Sequence, residues 1–523
     1  MSIRCLAVWS VLLVAPPAVG QESQPVKLDA AALSVWIDSK IEQRLAGEKI
    51  ATAAPAADAE ILRRLYLDLH GLLPPVEQVH RFLESNDRDK RAALIEQLLA
   101  DPAYGRHLAE LYADLLLPRT ATNRKVPIAP LHRWMAQRFN ENHPWNRTVH
   151  ELLTARGPQY ENGAVTLFMT NSKSLAPHEA TDIVSQVLLG IRLQCAQCHD
   201  HPFAAWKQTD YWGLAAFFGK VQFTSNFDDG VSRQPPPGHK DVVGSNYGIT
   251  EIPSPKRNDR PERAIDVSPR FLTGESPAVG DQPPLRPALA DWLTSPRNPW
   301  FASAMVNRTW AHFFGRGLVN PIDDLRAENL ATHPELLDEL TRQFVQHDFD
   351  IKYLVRAITG SRAYQRTSAS TADDAHDALY ARMTIKVLTP KQTFDALVQV
   401  LGQETFADSK GLDFQREKFV KFFESDDEPD PTAYRRGIPQ LLLLMNSKSY
   451  RLGIARQVNV LTAGKSTPEA IDGLYRASLA RTASPDEQRK VQEYVAGNGE
   501  KSAEAYAGVL WTLLATSEFV VNH

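Results

Sequence analysis

The sequence predicts a mainly α-helical protein in two lobes, joined by an irregular, partly β central segment. Three observations carry this. Apolar residues recur at helical spacing along most of the chain on both sides of that segment. Breaks bearing Gly or Pro, such as Gly71-Leu72-Leu73-Pro74-Pro75 and Asp101-Pro102, separate the runs. Between 220 and 285 the periodicity stops, and Gly, Pro, Asn, Asp and Ser take over around Pro235-Pro236-Pro237-Gly238.

In chain order, 28–45 reads as an amphipathic helix, followed by a small-residue linker over 51–59. Ile61, Leu62, Leu65 and Leu69 then mark a helix from 60 to 69, and Pro75-Val76-Glu77 starts the next. Further helices are expected over 87–99, 106–117, 129–140, 143–153 and 177–189, with the helical pattern running on through 183–193 toward two cysteines. The β-prone piece Val221-Gln222-Phe223 opens the irregular stretch; so long a structureless passage signals a functional segment or a linker. Helices resume at 285–292, 301–314, 334–346, 351–358 and 390–401. The acidic run 424–431 reads as a solvent loop, followed by helices at 439–446, 467–479, 485–496 and 503–514. Tyr104, Tyr364 and Phe519 each follow a helix and a small residue, a common way of ending a helix against a core.

A length of 523 residues implies two to four domains. With 43% apolar and 23% charged residues the composition is that of a globular protein, and a net charge of -4 gives no basic excess for nucleic acid. Residues 1–20 carry one charge, Arg4, then an apolar stretch and a Pro-bearing region ending in small residues. That is the layout of a secretory signal peptide, cleaved after Gly20. Its apolar stretch is too short to span a bilayer, and no later segment is long and apolar enough to do so.

Cleavage removes Cys5, one of three cysteines, and leaves Cys195 and Cys198. They stand in Cys195-Ala196-Gln197-Cys198-His199, a CxxCH sequence. At this spacing two thiols can add to the two vinyl groups of a haem while the adjacent histidine reaches iron from the same side. Covalent haem c, with His199 as proximal ligand, is therefore the leading reading. Other readings stay open: a Cys195–Cys198 disulfide or redox pair, a zinc site using Cys195, Cys198 and His201, or two inert thiols. Met169, His178, Met305 and His107 are distal-ligand candidates only by residue type, and a five-coordinate iron is the alternative. Asp200, His201, Phe203 and Trp206 would lie beside the porphyrin.

The run Gln194-Cys195-Ala196-Gln197-Cys198-His199-Asp200-His201-Pro202-Phe203, with Asp210-Tyr211-Trp212-Gly213 after it, resembles the DUF1549 family, also called planctomycete cytochrome c type 2. So does Leu67-Asp68-Leu69-His70-Gly71 with Asp101-Pro102-Ala103-Tyr104-Gly105. Asn298-Pro299-Trp300-Phe301, Val306-Asn307-Arg308-Thr309-Trp310-Ala311-His312 and His333-Pro334-Glu335-Leu336-Leu337 resemble its usual companion, DUF1553 (PSD1). The resemblance implies an exported protein of planctomycetes or their relatives. It names no activity. Longer members carry an additional cytochrome domain with its own CxxCH, which this sequence lacks.

A second cluster is a candidate polar pocket. Arg308 and His312 sit four apart on one expected helix and so share a face, followed by Arg316 and then Asp323-Asp324. Arginines there suit an anion or a haem propionate, and His312 suits proton transfer or a metal. The competing reading is a buried network of ion pairs around Trp310. No phosphate-binding loop, dinucleotide fingerprint, zinc-protease motif or serine-hydrolase elbow is present.

The expected organisation is a signal peptide (1–20), an N-terminal helix and linker (21–59), a DUF1549-like helical domain with the CxxCH (60–225), an irregular crossing (226–284) and a DUF1553-like helical domain (285–523). The expected function is a periplasmic or otherwise exported monohaem protein in electron transfer or a haem-assisted redox reaction. A periplasmic redox or co-exported protein would be its partner. The alternatives are a non-haem periplasmic enzyme, such as a polysaccharide hydrolase, and a scaffold for a co-exported protein.

Overall fold

The computed structural model describes residues 26–117, 126–170, 173–174, 176–224, 248–251, 267–280, 282, 284–369, 377–406, 411–423 and 448–523. The expected signal peptide, most of 226–284, the acidic run 424–431 and the expected helix 439–446 lie outside them.

The chain is mainly helical, with two helical domains separated by an irregular region containing short strands. Its first half holds α1 (Ala30–Gly47), α2 (Asp58–Leu69), α3 (Val76–Glu84), α4 (Lys90–Ala100), α5 (Pro102–Leu116), α6 (Ala129–Asn140), α7 (Trp145–Thr154), α8 (Pro177–Ile183) and α9 (Gln208–Ala215). Its second half holds α10 (Arg286–Leu293), α11 (Phe301–Phe314), α12 (Pro334–Gln346), α13 (Ile351–Gly360), α14 (Pro390–Leu401) and α15 (Leu412–Phe423). It ends with α16 (Lys448–Thr462), α17 (Thr467–Leu479), α18 (Pro485–Gly497) and α19 (Ser502–Ala515). Among the described residues no helix is long and apolar enough to cross a membrane.

Most helices fall where apolar spacing puts them, and the departures have local causes. Helix α5 starts at Pro102 rather than 106 because the Asp101 carboxylate accepts from Ala103 N–H at 2.7 Å and Pro102 fits the first helical position. Helix α15 escapes periodicity because its aromatics point several ways: Phe419 and Phe423 are buried, while Phe414 and Phe422 are exposed. The expected continuous helix over 183–193 does not form. After α8 the chain widens into a π-helical turn, Val184–Leu188, and Gly190 at φ 65° ends it.

Strands β1 (Gly157–Pro158), β4 (Val221–Thr224) and β5 (Gly248–Glu251) form an antiparallel sheet in the order β1-β5-β4, so the β-prone piece at 221–223 is a strand. Strands β2 (Met169–Thr170) and β3 (Lys173–Ser174) form a second pair. Near the chain end, β6 (Lys386–Val387) pairs with β7 (Val521–Asn522), setting Lys386 opposite Asn522.

Buried apolar side chains sort into two cores. The larger draws on residues from Leu33 to Met383, with Ala480. The smaller runs from Leu388 to Phe519 and takes in Leu67 and Leu73. Helix α2 lies on the seam, giving Leu62 and Leu65 to one core and Leu67 to the other. The same helix carries three buried charges whose partners come from distant chain. Arg63 donates to the carbonyls of Ser478, Glu518, Phe519 and Val521, and Arg64 donates to those of Tyr364, Arg366 and His523. Asp68 accepts from Lys386 Nζ at 2.6 Å, Asn522 Nδ2 at 2.6 Å and the Tyr364 hydroxyl at 2.9 Å. Burying these groups is tolerable only because each is paired. Gly71, at φ 69°, then turns the chain so tightly that a Cβ there would lie 2.4 Å from His107 Nδ1.

Candidate functional site

The CxxCH lies on a single 3₁₀ turn, Gln194–Gln197, with Cys198 closing it. Ala196 is fully buried and fastens the turn to the core, while Cys195, Cys198 and His199 face solvent. Both thiols are free. Helix α9 holds the turn from one side: Trp212 Nε1 donates to Gln197 O at 3.0 Å, and Gln208 Nε2 donates to the carbonyls of Gln197 and Cys198. The Gln208 N–H meets the Asp200 carboxylate at 2.8 Å. With its backbone carbonyls thus occupied, the turn presents its reactive side chains outward.

His199 Nδ1 lies 2.8 Å from Asp200 O. A carbonyl only accepts, so Nδ1 carries a proton and the neutral ring has its lone pair on Nε2, the tautomer a metal ligand needs. His201 turns inward to its own loop: its Nδ1 accepts from Phe203 N–H at 3.1 Å and its N–H donates to Trp206 O at 2.8 Å. Phe203 is largely exposed beside it, and Trp206 packs edge-on to Trp300 at 5.8 Å.

Beneath the turn, Tyr211 reaches α8. Its hydroxyl bonds Asp182 Oδ1 at 3.0 Å and His178 O at 3.2 Å. Burial pushes the Tyr211 hydroxyl above its ordinary range, with the Asp182 charge and then the nearby Cys198 adding to it. The Asp182 carboxyl is pushed up to about 6, chiefly by burial, with the Tyr211 bond and His178 pulling the other way. Since this folded value exceeds the ordinary 3.8, the group's contribution to stability is complete at low pH and is lost as pH rises through about 6. Asp182→Asn, which still accepts from Tyr211 but never ionises, is expected to match the unsubstituted chain near pH 4 and to exceed its melting temperature by a growing margin toward about pH 7. Melting curves over that range check this, and a margin independent of pH contradicts it.

The distal-ligand candidates are dispersed. Met169 is fully buried on β2. Met305 is buried and its sulfur accepts the Tyr112 hydroxyl at 2.8 Å. His107 is buried against Gly71 and 5.9 Å ring-to-ring from His312; burial, then the neighbouring His312 and His70, holds it well below the usual histidine range. His178 is tied to the CxxCH surroundings through its backbone carbonyl, which accepts from Tyr211, and among the described residues its Nδ1, like His107 Nε2, is buried without a partner.

The candidate polar pocket divides. Arg308 donates to Gln186 O at 3.2 Å, and Asp323 accepts from Arg192 Nε at 2.8 Å and from the Gln186 amide, so these two residues join the ground beneath the CxxCH. Asp324 pairs with Arg326 and takes the Asn329 amide. His312 Nε2 instead donates to Asp68 O at 2.8 Å on the seam between the cores, and the buried Arg316 Nε has no partner among the described residues. A shared helical face brings Arg308 and His312 into line but not onto common partners. Among the described residues no group of three or more His, Cys, Asp or Glu is gathered in metal-binding proximity.

Asp182, Gln186, Arg192 and Gln208 were not singled out from sequence. Each is a polar position in or beside an apolar run, a pattern that also suits a solvated face. Tyr211 and Trp212 stood in the second motif run, which was the available signal for α9.

Residues 36–223 match the family described as PSCyt2, protein of unknown function (DUF1549), and residues 285–439 match PSD1, protein of unknown function (DUF1553). No curated protein and no solved structure matches the chain.

Proposed function

Starting from a chain that pairs a DUF1549 (PSCyt2) region with a DUF1553 (PSD1) region, we propose that it is an exported monohaem c-type protein acting in electron transfer or a haem-assisted redox reaction. The first family's name associates that region with c-type cytochromes in general. The observation that carries the finer reading is the state of the CxxCH turn: two free, exposed thiols and an imidazole whose Nδ1 donates to Asp200 O, which places the neutral ring's lone pair on Nε2.

This donor set fits a covalent haem. The thiols of Cys195 and Cys198 would form thioether bonds to the vinyl groups, and His199 Nε2 would face the iron. When bound, the haem supplies one-electron chemistry at its iron. The chain supplies the rest. Asp200 O fixes the His199 tautomer, and Gln208 and Trp212 hold the turn. His178, joined to helix α9 through Tyr211 and with an Nδ1 unpartnered among the described residues, is the favoured candidate for the open side. Of Arg308 and Arg316, Arg308 supports the propionate reading, since it lies against the Gln186 carbonyl behind the turn. Residues 1–20 would direct export, and a co-exported protein would be the redox partner.

Intact-mass measurement tests this on chain produced with a working cytochrome c maturation system. The reading expects one haem added per polypeptide, stable to denaturation. Bare polypeptide mass overturns it.

A further inference from the structure

We propose that the loop between α11 and α12 is a built-in half of the CxxCH site, and that Asp323 is its positioning residue, setting how Cys195 is presented. The proposal uses the CxxCH turn as the site but does not require haem.

The cysteine-bearing segment is gripped by this loop at both ends. Leu325 N–H donates to Gly190 O at 2.8 Å before the cysteines, and Arg326 Nη1 donates to Phe203 O at 3.3 Å after them. Glycine is favoured at 190, because the backbone there sits at φ 65° and a Cβ would lie 2.8 Å from Leu325 Cδ1. Between these grips Asp323, itself buried, works through two links. One oxygen takes Arg192 Nε at 2.8 Å and Nη2 at 2.7 Å. The other takes the Gln186 amide, whose own oxygen accepts from Gln194 Nε2 at 2.7 Å, next to Cys195.

Gln186 can serve as this relay because it stands on the π-helical turn, where the extra residue of the wider turn re-aims a side chain that a regular α8 would place elsewhere. The loop is fastened to α11 where it leaves that helix. Fully buried Asn307 on α11 donates to Val319 O and Ile322 O and accepts from Val319 N–H. The turn is therefore held on two sides by different parts of the chain. Helix α9 takes the carbonyls of Gln197 and Cys198, and Asp323 controls the approach to Cys195. Such an arrangement gives the second family region a direct part in the first region's site.

The division makes a differential test available. Full-length, haem-free chain is treated with iodoacetamide, and modification of each cysteine is followed by mass spectrometry. Asp323→Asn is expected to change the Cys195 rate by about two- to tenfold, the range over which loss of one net hydrogen bond shifts a local equilibrium. The Cys198 rate should move little, and Asp323→Glu should restore part of the ratio. Should Asp323→Asn fold poorly, Gln194→Leu cuts the last link at a half-buried position and is expected to shift the same ratio. An unchanged Cys195-to-Cys198 ratio in a folded variant overturns the proposal, as does an equal change at both thiols. A chain that takes up no haem yet passes this assay would overturn the haem reading alone.

Discussion

Asp68→Ala is expected to destabilise the protein by about 3–5 kcal/mol, the cost of breaking a buried ion pair from one side. Asp68 is where α2 meets the end of the chain, and its carboxylate takes Lys386, Tyr364 and Asn522 at once. Without it, Lys386 Nζ retains, among the described residues, the His312 and Phe313 carbonyls, and burial, with Arg64 nearby, already lowers that ammonium's pKa. The loss should appear as a lower denaturant midpoint in equilibrium unfolding. Lys386→Met added to Asp68→Ala should recover part of it, because the uncompensated charge is then gone. A single-variant loss below about 1 kcal/mol, within the range of exposed pairs, would contradict this account of the seam.

The second large effect concerns haem retention. The Cys195→Ala, Cys198→Ala double variant, made with the same maturation system, is expected to carry no haem after denaturation, since both attachment sulfurs are gone. His199→Ala should keep the attachment but alter the Soret band, because His199 Nε2 is freed for iron by the Nδ1 bond. Denaturing gels stained for haem check the first expectation and absorption spectra the second. Undiminished attachment in the double variant would contradict the assignment of the two thiols, and an unchanged spectrum in His199→Ala would remove that residue as ligand.

Much of this architecture was legible because chain ends and helix ends are written in local chemistry. Helices α12, α14 and α17 fall over 334–346, 390–401 and 467–479, as apolar spacing and proline at the first helical turn indicated, and α11 falls over 301–314 on apolar spacing alone. What escaped is long-range or backbone-determined. The apolar pattern runs on smoothly past Ile183, yet the π turn and Gly190 stop the helix, and only the backbone reveals that. Cysteine scarcity pointed to Cys195, Cys198 and His199. Asp323 was legible as an acid near arginines, but its partners Gln186 and Arg192 lie far upstream and carry no mark of their role. Arg308 and His312 share a helical face, yet the folded chain brings Gln186 to one and Asp68 to the other. Helical spacing fixes direction, and the partner met in that direction depends on the fold.

The most direct test of the central claim is a pyridine haemochrome spectrum of the full-length protein after acid–acetone extraction. Covalent attachment through Cys195 and Cys198 predicts a c-type spectrum that stays with the polypeptide, at one haem per chain. A polypeptide without haemochrome absorption, and with both thiols still open to titration, would contradict it.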